Sequence, residues 1–248
     1  MKAKNFLKIS AGLISGLLFL MLTLNGCSKQ DEPISASADE LTNQEAILDY
    51  SFTDDLLKSG SCCIDTFPYE TLSPEETEAL LVMREEEFLA HDVYIALSQL
   101  YTKPIFRNIA RSEQRHTDAV KMLIDKYGLP DPAANHITGT FTNPDLQALY
   151  NSLVALGSTS LMNGLIVGAT IEDLDIYDLI NYLTITDNQD MTFVFNNLMR
   201  GSRNHLRSFY ANIRFYGGSY TPQYLTQAQF DAIVNSKHER GQGNCSCL

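Results

Sequence analysis

The sequence predicts an all-α protein built on a bundle of four long helices. Apolar residues recur every three or four positions over four long segments, which is the period of a helix with one buried face. Capping residues and helix breakers bound these segments, and the alternation typical of strands is nowhere convincing. With 248 residues, of which 44% are hydrophobic, the chain is long enough to bury one core.

The first two long helices have clear ends. Ser73 precedes Pro74 and lies three residues before Glu76, a capping box with proline at the first helical position, and the pattern continues to about Leu100. The second helix begins near Pro104 and stops at residues 128–130, where a cap glycine is followed by leucine and a breaking proline.

A shorter helical segment separates these two helices from the next two. Asn143-Pro144 opens that segment, and the third long pattern covers about residues 159–184. Asp187, with Asp190 three residues on, is predicted to begin the fourth long helix, which runs to Gly217-Gly218.

The N-terminal segment has the form of an export signal. Three lysines precede a short apolar run, residues 9–24, and Leu24-Asn25-Gly26-Cys27 follows. This ending resembles a bacterial lipobox, in which Cys27 is lipidated and becomes the mature N-terminus. A plain signal peptide or a transmembrane anchor is the alternative, although the run is short for a bilayer span. We therefore expect a lipid-anchored envelope protein, on the outer membrane or the periplasmic side.

Charge and cysteine content restrict the function further. The formal charge is −12, with 18 basic and 30 acidic residues, so nucleic acid is not an expected partner and the membrane is contacted through the lipid only. Cys62, Cys63, Cys245 and Cys247 are the other thiols, and export favours disulfides among them. A soft metal such as copper bound by the C-terminal tail is the alternative.

The predicted organisation has four parts. Residues 1–26 form the signal peptide, 27–71 a tether and N-terminal arm, 72–218 the bundle, and 219–248 a C-terminal helix with the cysteine-containing tail. Thr226 and Gln229 cap that last helix.

Polar groups interrupt each apolar stripe near the middle of its helix. An unpaired carboxylate in a bundle core costs several kcal/mol, so a buried one is paired, protonated or bound to a metal. In helix order the interruptions are Glu87; Glu113 and His116; Glu172 and Asp175; Ser202 and His205. Alternatives remain for single residues: Glu87 pairs with Arg84 or Arg115, Glu172 is an ordinary helical acid, and Ser202 and His205 only form hydrogen bonds.

Four ordered segments resemble DUF2202, a bacterial and archaeal ferritin-like family of unknown function. The segments are Glu86–Tyr94, Ile105–His116, Phe141–Pro144 and Gly201–Arg207, and the resemblance covers about residues 72–215. The pattern is more distantly similar to rubrerythrin. The resemblance implies a ferritin-like antiparallel four-helix bundle with a short crossover helix, a C-terminal helical extension and two iron or manganese ions.

The resemblance also implies roles for the polar residues. Bridging carboxylates would come from Glu113 and Glu172, terminal carboxylates from Glu87 and Asp175, and imidazoles from His116 and His205. Residues expected to support these ligands are His91, Asp92, Tyr94, Tyr177 and Ser202. The sequence departs from the ferritin-like pattern in one place, because Ser202 stands where the fourth helix usually carries a glutamate. Asp175 is expected to replace the missing carboxylate.

Two functions follow from this reading. The first is a di-metal centre that reacts with oxygen or peroxide, as a peroxidase-like or ferroxidase-like oxidoreductase without a built-in rubredoxin-type donor, since no CxxC pair is present. The second is a non-catalytic scaffold or metal-binding protein with a degenerate site. The oligomeric state and the electron donor are not predicted.

Overall fold

The computed structural model describes residues 64–240, and every regular element in that range is helical. The helices are α1 Pro74–Leu100, α2 Pro104–Lys126, α3 Pro144–Gly157, α4 Leu161–Tyr182, α5 Gln189–Phe215 and α6 Gln227–Val234. Residues 64–66 are also helical, and no residue between 64 and 240 forms a β-strand. This confirms the predicted all-α class, the crossover helix (α3) and the C-terminal helix (α6).

Several predictions concern residues outside 64–240. The signal peptide, the lipidated Cys27 and the pairing of Cys62, Cys63, Cys245 and Cys247 lie outside the described residues. Within residues 64–240, none of the helices is both long enough and apolar enough to cross a membrane.

The helix ends follow the predicted caps except at α5. The capping boxes of Ser73 with Glu76 and of Thr226 with Gln229 are both formed. The predicted start of the fourth long helix at Asp187 is wrong, because Asn188 is the N-cap and α5 begins at Gln189. The carboxylate of Asp190 accepts a hydrogen bond from Lys126 Nζ at 2.6 Å, so it ties α5 to the end of α2.

The four long helices form two antiparallel pairs packed side by side. Three residues join α1 to α2, and six residues join α4 to α5. At one end of the bundle Thr186, before α5, donates to Glu76 at the start of α1 at 2.6 Å. At the other end Gly164 of α4 lies against Tyr101 and Phe106. Therefore α2 and α4 run in the same direction, and the segment containing α3 crosses the length of the bundle.

The polar interruptions lie between two apolar parts of the core. One part surrounds Leu80, Leu123 and Phe195, and the other surrounds Tyr94 and Phe209. The interrupting residues fall along each helix between members of these two clusters. The fold therefore brings all of them to one depth of the bundle.

Asp173 fastens the C-terminal extension to α4. Its fully buried carboxylate accepts hydrogen bonds from the Tyr220 hydroxyl at 2.8 Å and from the backbone N–H groups of Gln223, Tyr224 and Leu225 at 2.5, 3.2 and 2.8 Å. Asp173 thus holds the start of the extension, while Arg207 of α5 bonds its later part at Ile233 and Ser236.

Asp173→Ala is expected to lower the free energy of unfolding by about 2 kcal/mol, because it leaves buried donors without an acceptor. Urea unfolding measures this change, and hydrogen exchange should rise first at residues 220–225. Asp145→Ala, at an exposed position of α3, is the control and should change little. Equal protection of residues 220–225 in both variants would contradict this role for Asp173.

Candidate metal centre

Five of the predicted ligands meet in the middle of the bundle. Each long helix contributes to the group: Glu87 from α1, Glu113 and His116 from α2, Glu172 from α4, and His205 from α5. All five are at most 3% exposed. They form two triads, Glu87 with Glu113 and His116, and Glu113 with Glu172 and His205, whose ligand atoms lie within 4.8 Å of one another.

Glu113 belongs to both triads and lies between the two imidazoles. Its Oε2 is 2.8 Å from Nδ1 of His116, and its Oε1 is 2.9 Å from Nδ1 of His205. His116 Nδ1 is also 3.3 Å from Glu87 Oε2, and His205 Nδ1 is 3.4 Å from Glu172 Oε2. One carboxylate with an imidazole on each oxygen is the arrangement of a bridge between two adjacent sites.

Gly201 allows the His116 ring to enter the bundle. A Cβ at position 201 would lie 2.5 Å from His116 Nε2 and 2.7 Å from its Cε1. The rings of His116 and His205 stack with centres 5.4 Å apart. A residue with any side chain at position 201 would therefore displace the imidazole.

Asp175 and Ser202 bond to each other next to the triads. Ser202 Oγ donates to Asp175 Oδ2 at 2.5 Å, and Asp175 belongs to neither triad. Ser202, which stands in place of the fourth-helix glutamate, therefore binds Asp175, the carboxylate expected to replace that glutamate. Asp175 stays a predicted ligand.

The other residues expected to support the ligands take different positions. Tyr94 donates its hydroxyl to Glu172 Oε1 at 2.5 Å, so it holds one ligand directly. Asp92 bonds His91, His136 and the backbone N–H of Gly139, and it fastens the crossover segment to α1.

Two further expectations concern Tyr177 and Arg84. The half-buried Tyr177 packs its ring on that of Tyr224, with centres 6.3 Å apart. The alternative in which Arg84 neutralises Glu87 is wrong, because Arg84 forms two 3.1 Å hydrogen bonds with Asp131.

The five side chains have strongly altered acidity. Burial opposes the charged form of His116, but Glu87 and Glu113 raise its pKa well above the usual value. Burial likewise opposes ionised Glu113, yet His205 and His116 hold the pKa of that carboxyl well below its usual range. Burial and repulsion by Glu113 raise the pKa of Glu172 to about 8. Without another cation, the group must therefore keep protons on some carboxyls.

The donor set fits divalent iron or manganese. Carboxylate oxygens and imidazole nitrogens are common ligands of these ions in proteins. Two buried atoms of the group, Glu87 Oε1 and His116 Nε2, have no hydrogen-bond partner among the described residues. Burial and the neighbouring Asp175 also raise the pKa of Glu87 well above its usual value. A bound cation would offset that repulsion and give the carboxylate a partner.

Sequence reasoning missed two acids beside the group, Glu86 and Asp178. The Oε2 atom of Glu86 is buried without a hydrogen-bond partner among the described residues. Burial and repulsion by Asp178 raise the pKa of Glu86 well above its usual value. The sequence contained a clue, since Asp178 follows Asp175 by three residues and so lies on the same side of α4.

The metal-free protein is expected to lose stability as the pH rises from 6 to 8. Burial raises the pKa of Asp175 to about 6, of Asp178 to about 7 and of Glu172 to about 8. An acid whose pKa is higher in the folded state lowers the stability of the fold as the pH rises from its unfolded-state pKa to its folded-state pKa, because only the unfolded chain releases the proton over that range. Urea unfolding in a chelator at both pH values measures the loss.

The variant Asp178→Asn separates the effect of burying this carboxyl from the general repulsion among the many acidic side chains of the protein, because it removes one ionisable group and keeps the shape of the side chain. The variant should match wild type only below about pH 4, where Asp178 is protonated in both the folded and the unfolded state, and should exceed its stability by a growing margin as the pH rises to about 7 and above. Equal stability of the two proteins at pH 8 would show that burial of Asp178 has no such effect.

Comparison with known proteins gives one family. The model of an uncharacterized protein domain, DUF2202, matches residues 76–237. The chain is 50% identical over 178 residues to the uncharacterized protein MJ0754 of Methanocaldococcus jannaschii, covering 72% of this chain and 96% of that protein. The crystal structure of the hypothetical protein MJ0754 superposes with a TM-score of 0.69 at 49% identity, covering 70% of this chain and 99% of that one.

Proposed function

The chain belongs to the DUF2202 family, and we propose that it is a ferritin-like protein that holds two adjacent iron or manganese ions and reacts with oxygen or peroxide. The observation that carries the proposal is the position of Glu113, whose two oxygens each face a different imidazole. A bridge between two ions uses both oxygens of one carboxylate, and in this group each oxygen of Glu113 faces a different triad.

The ligands divide between two positions. Glu87 and His116 would hold one ion and Glu172 and His205 the other, with Glu113 shared. Glu172, which the resemblance implied as a second bridge, belongs to one triad only. Each position receives one imidazole and one carboxylate of its own, so the two halves of the centre are chemically alike. Asp175 would add a further carboxylate if Ser202 released it.

The surrounding residues prepare the centre for reduction of an oxidant. When bound, two such ions supply two electrons at one place, one from each ion, which is the number that cleaves a peroxide. The hydroxyl oxygen of Tyr94 lies 2.5 Å from Glu172 Oε1 and donates its proton to it, so a proton is available at a candidate ligand oxygen. The apolar clusters on both sides keep bulk water away from the ligands.

Peroxide added to the anaerobic ferrous protein is expected to oxidise the bound iron much faster than iron free in solution. Glu113→Gln should lose this acceleration, because the shared ligand becomes a neutral amide. Glu76→Gln is the matched control, since Glu76 is a buried glutamate of α1 that caps the helix instead of facing the centre. Stopped-flow absorbance measures the rates, and equal rates in the two variants would contradict the proposal.

A second candidate is a scaffold or metal-binding protein without catalysis. The observation that favours it is the bond between Ser202 and Asp175, which engages the carboxylate meant to replace the fourth-helix glutamate. Such a protein would bind metal but give no acceleration in the same experiment.

We also propose that the chain is held in the cell envelope by a lipid on Cys27. The support is the sequence Leu24-Asn25-Gly26-Cys27 after a short apolar run. Mass spectrometry of the protein purified from membranes, compared with Cys27→Ser, tests this anchor. A wild-type N-terminus without lipid would contradict it.

A further inference from the structure

Four aromatic rings form a row from the candidate metal centre to one end of the bundle. The ring centre of Tyr94 lies 5.3 Å from Phe209, Phe209 lies 6.1 Å from Phe106, and Phe106 lies 5.8 Å from Tyr101. The first three rings are fully buried, whereas Tyr101 is partly exposed where α1 passes into α2. These four residues are called the aromatic row below.

Two glycines of α4 make room for the row. A Cβ at Gly164 would lie 3.1 Å from the Tyr101 ring and 3.2 Å from the Phe106 ring, and a Cβ at Gly168 would overlap the ring of Phe209. Glycine inside a helix lowers its stability relative to alanine. Glycine at these two positions therefore makes α4 less stable as a helix, and it allows the rings of Tyr101, Phe106 and Phe209 to pack directly against the backbone of α4.

Each end of the row carries a phenol with a different environment. Tyr94 donates to the carboxylate of Glu172, which is a candidate ligand and a proton acceptor. Tyr101 donates to the backbone carbonyl of Gly157 at 2.7 Å and has access to solvent. Tyrosine is oxidised readily when its proton has an acceptor, so the inner phenol is the one prepared for oxidation.

We propose that the aromatic row carries single electrons from the surface at Tyr101 to the metal centre, with Tyr94 as the residue oxidised there. The proposal rests on the proposed function, because the oxidised centre is what draws the electrons. Phe209 and Phe106 bridge the two tyrosines by tunnelling and hold no charge themselves. The row would thus supply the reducing equivalents for which the chain has no rubredoxin-type donor.

The transfer balances in three steps. Tyr94 gives one electron to the oxidised centre and its phenolic proton to Glu172. The Tyr94 radical then regains one electron from Tyr101 and its proton from Glu172, while Tyr101 releases its own proton to solvent. A one-electron carrier protein at the surface reduces the Tyr101 radical, which takes up a proton from water. The net result is one electron moved from the carrier to the centre.

Flash photolysis of the metal-free protein at pH 9, where Glu172 is ionised and can accept the Tyr94 proton, with ruthenium tris-bipyridine and a quencher tests the row without any metal. The photo-oxidant withdraws an electron at the surface, and tyrosyl radicals are detected by absorbance and electron paramagnetic resonance. The chain has 12 tyrosines, so the Tyr94 radical is the part of the signal lost in Tyr94→Phe. We expect the variants Phe106→Leu, Phe209→Leu and Tyr101→Phe each to lose the signal of the Tyr94 radical as well.

Phe195→Leu is the matched control, because Phe195 is a fully buried ring in the other core cluster. It should keep the Tyr94 radical, and circular dichroism identifies the variants that fold. Retention of the Tyr94 radical in a folded Phe106→Leu or Phe209→Leu variant would overturn the proposal, as would an unchanged signal in Tyr94→Phe. Failure of the protein to bind metal would refute the proposed function but leave this result intact.

Discussion

Glu113→Ala is expected to abolish binding of both metal ions and to destabilise the metal-free protein by about 3–5 kcal/mol. The variant removes the one carboxylate that both triads share. It also leaves His116 and His205 without the partner that lies within 3 Å of each imidazole. Each imidazole then keeps only a longer contact, at 3.3 Å to Glu87 for His116 and at 3.4 Å to Glu172 for His205, so both buried pairs are weakened at once.

Elemental analysis and urea unfolding measure the two effects of Glu113→Ala. Asp178→Ala is the matched control, since it removes a carboxyl that is also largely buried beside the centre but belongs to neither triad. The control should keep its metal. Metal content close to that of wild type in Glu113→Ala would exclude a shared bridge at this position.

Gly201→Ala is expected to weaken metal binding by about 10- to 100-fold, the range found when residues that orient a ligand are changed. The added Cβ would meet the His116 ring at 2.5 Å, so the imidazole must shift from its present position against Glu87 and Glu113. Helix propensity favours alanine by about 1 kcal/mol, and overpacking costs about 1–3 kcal/mol. Metal titration should therefore change more than stability does.

Gly157→Ala is the control for overpacking alone. Its Cβ would lie 2.8 Å from a methyl group of Leu97, away from the ligands. Thermal unfolding and metal titration of both variants separate the effects. If Gly157→Ala weakened metal binding as much as Gly201→Ala, the position of the His116 ring would not be the cause.

The helices and the five central side chains could be predicted because both depend on local sequence. A capping box such as Ser73 with Glu76 fixes a helix end within four residues. The three-residue spacing of Glu113 and His116 places both on one face of α2 in any bundle. When the apolar faces of the four long helices pack together, the polar residues that interrupt those faces are brought together in the core.

Contacts between helices could not be predicted in this way. The bond from Ser202 to Asp175 joins α5 to α4, and nothing in either segment specifies it. Asp92 lies only five residues after Glu87, yet it bonds the crossover segment instead of supporting the centre. Asp190 has the spacing of a capping residue but bonds Lys126 of α2. In each case a partner distant in sequence determines the role of the side chain.

The number of ions bound per chain tests the central claim most directly. The purified protein, stripped with a chelator and reconstituted anaerobically with ferrous iron or with manganese, is expected to retain about two ions per chain after desalting. That number follows from the proposal, in which each of the two triads that share Glu113 holds one ion. No retained ion, or a single ion that survives in Glu113→Ala, would contradict a di-metal centre at this site.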